Sequence, residues 1–211
     1  MPLYLRILAL ALLPLAIHAA DAGKATLNGA FAAYSKGDIK GAAASYRALA
    51  ASGSHLAQFN YAMMLKRGEV EGDTTPWLPL LEKAAQGGVM NAAYALGIAY
   101  EHGEGVARSQ NTATRWFRLA AEKGHVDAEV SLATQYFLGR GAPHDEAQAA
   151  HWYEKAAEGG DVGAQYIVAS MYEHGNGVAV DPARALTWYS AAARQGDPAA
   201  KLKAEAIARG H

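Results

Sequence analysis

Trp116, Trp152 and Trp188 stand 36 residues apart, and the same step carries Gly88, Gly124, Gly160 and Gly196. Tyr100, Tyr136 and Tyr172 keep that register, as do the glycine pairs Gly103/Gly105, Gly139/Gly141 and Gly175/Gly177. A step held at so many positions means internal repetition. A repeat this short cannot enclose its own apolar face, so it buries that face on its neighbours and the chain grows as a stack. Upstream the pattern weakens but persists: Ala84, Ala85 and Gly88 keep the Ala-Ala…Gly ending, with Leu80 in place of tryptophan. Leu65 and Gly68 stand where Tyr100 and Gly103 are expected, and Tyr34, Gly37 and Tyr46 mark a first unit with a shorter middle loop. Five units result, roughly 24–56, 57–91, 92–127, 128–163 and 164–199, within one repeat domain over 24–211.

Within a unit the text alternates between two helices. Ala92, Leu96 and Tyr100 form one apolar stripe at helical spacing, with Gly97 beside them where later units have Ala133 and Ala169. The small residue predicts a close helix–helix approach, and Gly103 predicts a left-handed helix stop. Asp145 followed by Gln148, and Asp181 followed by Pro182, read as N-caps of the second helix. Thr75-Pro76 and Asp197-Pro198 read as the same device. The expected fold is all-α, a solenoid of about five helix pairs closed by a polar capping helix over 198–209 that carries Lys201, Lys203 and Arg209. The repeated tryptophans are expected in the core, so that truncating one to Ala costs ~3–5 kcal/mol.

The string Ala92-x3-Leu96-Gly97-x2-Tyr100-x2-Gly103-x-Gly105-Val106, continued by Trp116-x3-Ala120-Ala121-x2-Gly124-x3-Ala128, resembles the Sel-one-like repeat family. The fifth unit matches through Tyr172, Gly175, Gly177, Val178, Asp181, Ala185, Trp188, Ala192 and Gly196. The fourth departs at Ala142-Pro143, and the first two units look closer to tetratricopeptide repeats. The resemblance implies a right-handed α/α superhelix acting as an adaptor or scaffold, often in bacterial envelopes. Fold-level analogy names no partner.

Residues 1–20 read as an address. Arg6 precedes an apolar run from Ile7 to Ile17, and His18-Ala19-Ala20-Asp21-Ala22 follows. Eleven apolar residues are too few to anchor a helix in a bilayer, and the order of charge, apolar run and small residues is that of a secretory signal peptide. Cleavage after Ala19, Ala20 or Ala22 fits equally, and the chain is expected to work in the periplasm or outside the cell without a stable membrane anchor. With Cys 0, core packing alone must hold the fold there. A net charge of −1, with no basic stripe beside the aromatics, argues against nucleic acid as a partner.

Catalytic and metal motifs are missing from the text. Gly103-Glu104-Gly105 lacks the preceding strand and third glycine of a dinucleotide turn, and its copies sit at helix ends. Tyr-Glu-His-Gly recurs at 100–103 and 172–175, but copies two repeats apart stand too far from each other for shared metal bonds of ~2.0–2.1 Å. Cysteine-rich members of the family it resembles have been linked to β-lactam chemistry. This chain has no cysteine and no Ser-x-x-Lys, Ser-Asp-Asn, Lys-Thr-Gly or Gly-x-Ser-x-Gly. No cofactor, metal or catalytic residue is expected, and the chain is read as a non-enzyme.

The resemblance to tetratricopeptide superhelices implies that the first helix of each unit lines a concave groove. Its side chains here are Phe59, Met63, Lys66 and Arg67, then Asn91, Tyr94, Ile98, Glu101 and His102. Val130, Thr134 and Phe137 follow, then Tyr166, Ser170, Glu173 and His174. An aromatic groove, basic at Lys66/Arg67 and acidic towards Glu101/Glu173, suits an extended or helical protein segment. The paired acids and histidines suggest pH-sensitive binding. The bland alternative is that Tyr94, Phe137 and Tyr166 only complete packing between repeats. The expected function is an exported adaptor that binds another protein, as in regulating a signalling or assembly complex. The alternatives are a peptidoglycan- or glycan-binding envelope protein and, further off, a hydrolase of cell-wall or β-lactam substrates.

Overall fold

The computed structural model describes residues 27–209, so the signal-peptide reading of residues 1–22 lies outside them, as does His211. Among the described residues every regular element is an α-helix. Contacts divide the chain into two compact units, Met1–Val89 and Met90–His211. The first holds α1 (residues 27–35), α2 (Ile39–Ala51), α3 (His55–Lys66) and α4 (Trp77–Gln86). The second holds α5 (Met90–His102), α6 (Gln110–Ala121), α7 (Val126–Leu138), α8 (Glu146–Glu158), α9 (Val162–His174), α10 (Pro182–Arg194) and α11 (Pro198–Ala208). In the second unit each helix from α5 to α11 packs on the next in sequence, the arrangement expected of stacked helix pairs.

Helix starts follow the expected chemistry. The Asp145 carboxylate accepts from Gln148 N at 2.9 Å, Asp181 accepts from Ala183 N and Arg184 N, and Asp197 caps α11 through Ala200 N. Thr75-Pro76 is the exception. Pro76 occupies the cap position of α4 without a side-chain bond, and Thr75 instead donates its N–H to Asp73 Oδ1 at 2.8 Å. Aspartate two residues upstream closes an Asx turn there, which removes the need for a threonine cap.

The glycine pairs have two different tasks. Gly139 and Gly175 end α7 and α9 in the left-handed conformation. Their partners Gly141 and Gly177 also have positive φ, +69° and +70°, and press on the start of a preceding helix. A Cβ on Gly141 would stand 2.3 Å from the Gln110 carbonyl oxygen, and one on Gly177 2.1 Å from that of Glu146. Gln110 and Glu146 are the first residues of α6 and α8, so the loop of one repeat is seated on the second helix of the repeat before it.

The expected close approach at Gly97 is present: a Cβ there would lie 2.4 Å from the Phe117 ring. The tryptophans differ from expectation. Trp116, Trp152 and Trp188 are half-buried, while Phe117, Tyr153 and Tyr189, one residue later, are buried. The inward stripe of α6 runs Ala113, Phe117, Ala120 and Ala121, and this phase leaves Trp116 at its edge. Alanines fill much of the remaining core, Ala84/Ala85, Ala120/Ala121 and Ala156/Ala157 among them, which lets helix backbones approach closely. Helix α11 buries only Ala200, half-buries Ala204 and Ile207, and leaves Leu202 69% exposed, so its outer face is less polar than expected.

Candidate binding site

In the first unit, Phe59, Met63 and Lys66 lie on α3 and are half-buried, and Arg67 caps it. Lys66 Nζ stands 5.4 Å from the Trp77 ring, a cation–π contact. Arg67 donates to Tyr34 Oη at 3.2 Å and lies 3.7 Å from Glu69. Both cations therefore have partners within the fold.

A cleft of about 940 Å³ opens between α2 and the loop 68–75, and nothing in the sequence pointed to it. Asp73 organises it by accepting from the Tyr61 hydroxyl and Thr75 N, with Arg47 Nη1 at 3.7 Å. Hydrogen bonds from Thr75 and Tyr61 hold the Asp73 carboxyl down at about 2, and burial with the Asp73 bond pushes the Tyr61 hydroxyl up to about 12. The charges at its centre thus satisfy one another.

The second unit sorts the remaining expected residues. Tyr94 is half-buried, stacked on His125 with centroids 4.5 Å apart and tilted on Phe117 at 5.9 Å. It packs within its own repeat, on α6 and on the residue that caps α7, rather than between repeats. Glu101 accepts from Gln135 Nε2 at 2.8 Å. Glu173 accepts from the Tyr189 hydroxyl at 2.7 Å and from Lys203 Nζ at 3.0 Å. Burial works against the Glu173 carboxylate, but these two donors overcome it and hold its pKa below the usual value. Glu101 is therefore hydrogen-bonded to the next repeat, and Glu173 to its own repeat and, as an ion pair, to Lys203 of α11. His102 and His174 are exposed at helix ends, 3.8 Å from Glu101 and 4.0 Å from Glu173, and Asn91 is exposed on α5. Ile98 and Val130 are half-buried.

Phe137, Tyr166 and Ser170 come together. They line a cavity of about 250 Å³ with Tyr153, Ile167, Met171 and Asn176. Phe137 is 41% and Ile167 37% exposed, so the rim is apolar and open, while Tyr153 and Met171 form a buried floor. Tyr153 Oη lies 3.0 Å from Thr134 Oγ1, whose own proton goes to Val130 O at 2.8 Å, so Tyr153 is the donor of that pair. Tyr166 meets Tyr189 edge-to-face with centroids 5.2 Å apart, and Phe137 lies 6.3 Å from the His144 ring. Rigid aromatic walls with few free donors suit an apolar side chain. Tyr153, Ile167, Met171 and Asn176 are not among the groove residues expected from the sequence. Ile167 and Met171 were legible as an i, i+4 pair beside Tyr166 and Ser170, whereas Asn176 joins only through its loop.

Among the described residues no three His, Asp or Glu side chains cluster as a metal would need, and no helix is long and apolar enough to cross a membrane.

No curated protein matches the chain. Among solved structures it is similar to c5321, a protective antigen of uropathogenic Escherichia coli with an SLR fold, at 32% identity and TM-score 0.78 over 86% of this chain. The chain spans only 40% of that protein's length. A Sel1 repeat protein from Oxalobacter formigenes aligns at 30% identity and TM-score 0.78, covering 84% of this chain and 74% of the other. The Sel1 repeat itself matches residues 55–75, 91–125, 126–161 and 162–197, of which the last three are close to whole 36-residue steps. With most of its length in such repeats, the chain belongs to the Sel1 repeat family.

Proposed function

We propose that this protein is an exported adaptor that seats an apolar side chain of a partner polypeptide between Phe137, Tyr166 and Ile167. Sel1-repeat proteins generally serve as scaffolds for protein–protein interaction. The observation that carries the reading is the cavity itself: about 250 Å³ of mostly apolar wall, open at Phe137 and Ile167, takes one or two large side chains. The charged residues around it are bonded within the fold, so apolar burial is the main source of affinity on offer. Export is supported by the leader-like text of residues 1–22, and cell fractionation with detection of a shortened chain tests it.

The binding test is a random peptide library displayed against the full chain. Enrichment of a bulky apolar anchor, with binding lost in Phe137→Glu and Ile167→Glu at unchanged helical content, supports the reading. Peptides that bind both variants unchanged place the site elsewhere. Failure to enrich peptides, together with muropeptide binding that depends on Tyr166, favours the glycan alternative.

A further inference from the structure

Among the described residues one carboxyl side chain is buried, and it lies outside the cavity. Glu129 of α7 is 6% exposed and occupies a place that glutamine fills in two other repeats, Gln58 at 6% and Gln165 at 5%. Gln165 stands one step of 36 residues after Glu129. Both glutamines do the same thing: Gln58 Nε2 donates to Ala50 O at 3.3 Å, and Gln165 Nε2 to Ala157 O at 3.1 Å. In each case the acceptor lies eight residues back, in the last turn of the preceding helix, and a following glycine N–H also donates to it. Eight residues before Glu129 is Ala121, the last residue of α6, whose carbonyl accepts from Gly124 N at 2.8 Å. A carboxylate has no proton to give to that carbonyl, but a carboxylic acid has one.

We propose that Glu129 is protonated in the folded chain and donates its carboxyl O–H to the Ala121 carbonyl, replacing the glutamine amide and making the α6–α7 joint a proton-dependent lock. Among the described residues no hydrogen-bond donor supports the charged form of the Glu129 carboxyl, which leaves Lys155 as the one cation that favours it. Burial pushes this carboxyl up, Lys155 opposes the shift and Glu158 adds to it. These two residues of α8 lie 3.2 Å from each other, which divides the attraction of Lys155 between two acids. On the α6 side, Arg118 is bonded to Tyr136 at 2.7 Å, while Glu122 and Lys123 are exposed. The α6 C-terminus disfavours an anion, whereas the α7 N-terminus, with His125 at its cap and Asp127 exposed in its first turn, favours one.

The sign follows from linkage. A folded-state pKa raised above the unfolded one means that the native chain holds the extra proton, so stability falls as pH rises between the two values and the full cost is present above the upper one. The folded-to-unfolded ratio drops by about tenfold per pH unit across that interval. The experiment is urea unfolding of the full chain and of Glu129→Gln across the acid-to-neutral range, with a carboxyl ¹³C titration of Glu129 in the unsubstituted protein. Equal stability at acid pH, a Gln variant that becomes the more stable as pH rises, and a Glu129 midpoint above the ordinary glutamate range are expected. Identical pH profiles, or a carboxyl that titrates as an ordinary glutamate, overturn the proposal. The titration decides the matter even if the variant folds poorly.

Discussion

At the residue scale the glycines divide by what stands opposite them. Gly124 and Gly177 both have positive φ, +81° and +70°, but only Gly177 has a backbone atom within 4 Å of a built Cβ. Gly124→Ala should cost about 1–2 kcal/mol, the penalty of the left-handed backbone alone. Gly177→Ala adds a collision with the Glu146 carbonyl, and chemical denaturation should show it to be the more damaging by about 1–3 kcal/mol. The helix-stop role of the first glycine in each pair was legible, because a glycine just past an apolar stripe has few other uses. The packing role of the second was not, since its neighbour lies in the repeat before. Asp73 gives a test in acid. Its carboxyl is held at about 2 against an ordinary 3.8, so its contribution is complete above that ordinary value and disappears as pH falls through about 2. The Tyr61 ring signals in an NMR titration should move over that interval, and Asp73→Asn should remove the step.

At the element scale the 36-residue step located the helix pairs but put the core one residue out of phase. Tryptophan is the larger and more recognisable residue, yet the spacing Ala113–Phe117–Ala121 decides which side of α6 faces inward. Phe117→Ala should therefore cost ~3–5 kcal/mol, and Trp116→Ala less, about 1–3 kcal/mol, in thermal or urea melts. Equal losses would mean that the tryptophans carry the core after all. The binding residues were half-legible for the same reason. Tyr166 and Ser170 follow from the face of α9 they share, and Phe137 from the matching helix α7, but helix periodicity says nothing about which acids are hydrogen-bonded elsewhere in the fold. Glu101 and Glu173 read as free groove charges until Gln135, Tyr189 and Lys203 are placed against them.

For the whole molecule, the contacts between repeats recur at the same step as the sequence. Gly141 on Gln110 repeats as Gly177 on Glu146, and the Gln165 clamp has its counterpart position at Glu129. Excising residues 128–163, one full step, should therefore leave a helical chain that melts cooperatively at lower temperature, whereas excising 34 residues from the same start should not. The proposed export and the proposed partner stand outside this internal logic, since neither is specified by how repeats stack. The most direct measurement is site-specific photocrosslinking in the producing cells, with a benzophenone amino acid at Ile167 and, as a control, at Val180, which is 61% exposed. A polypeptide adduct at Ile167 that disappears when Phe137→Glu is added, with none at Val180, is the predicted result. Adducts at Val180 and none at Ile167 would contradict the assignment of the cavity as the docking point.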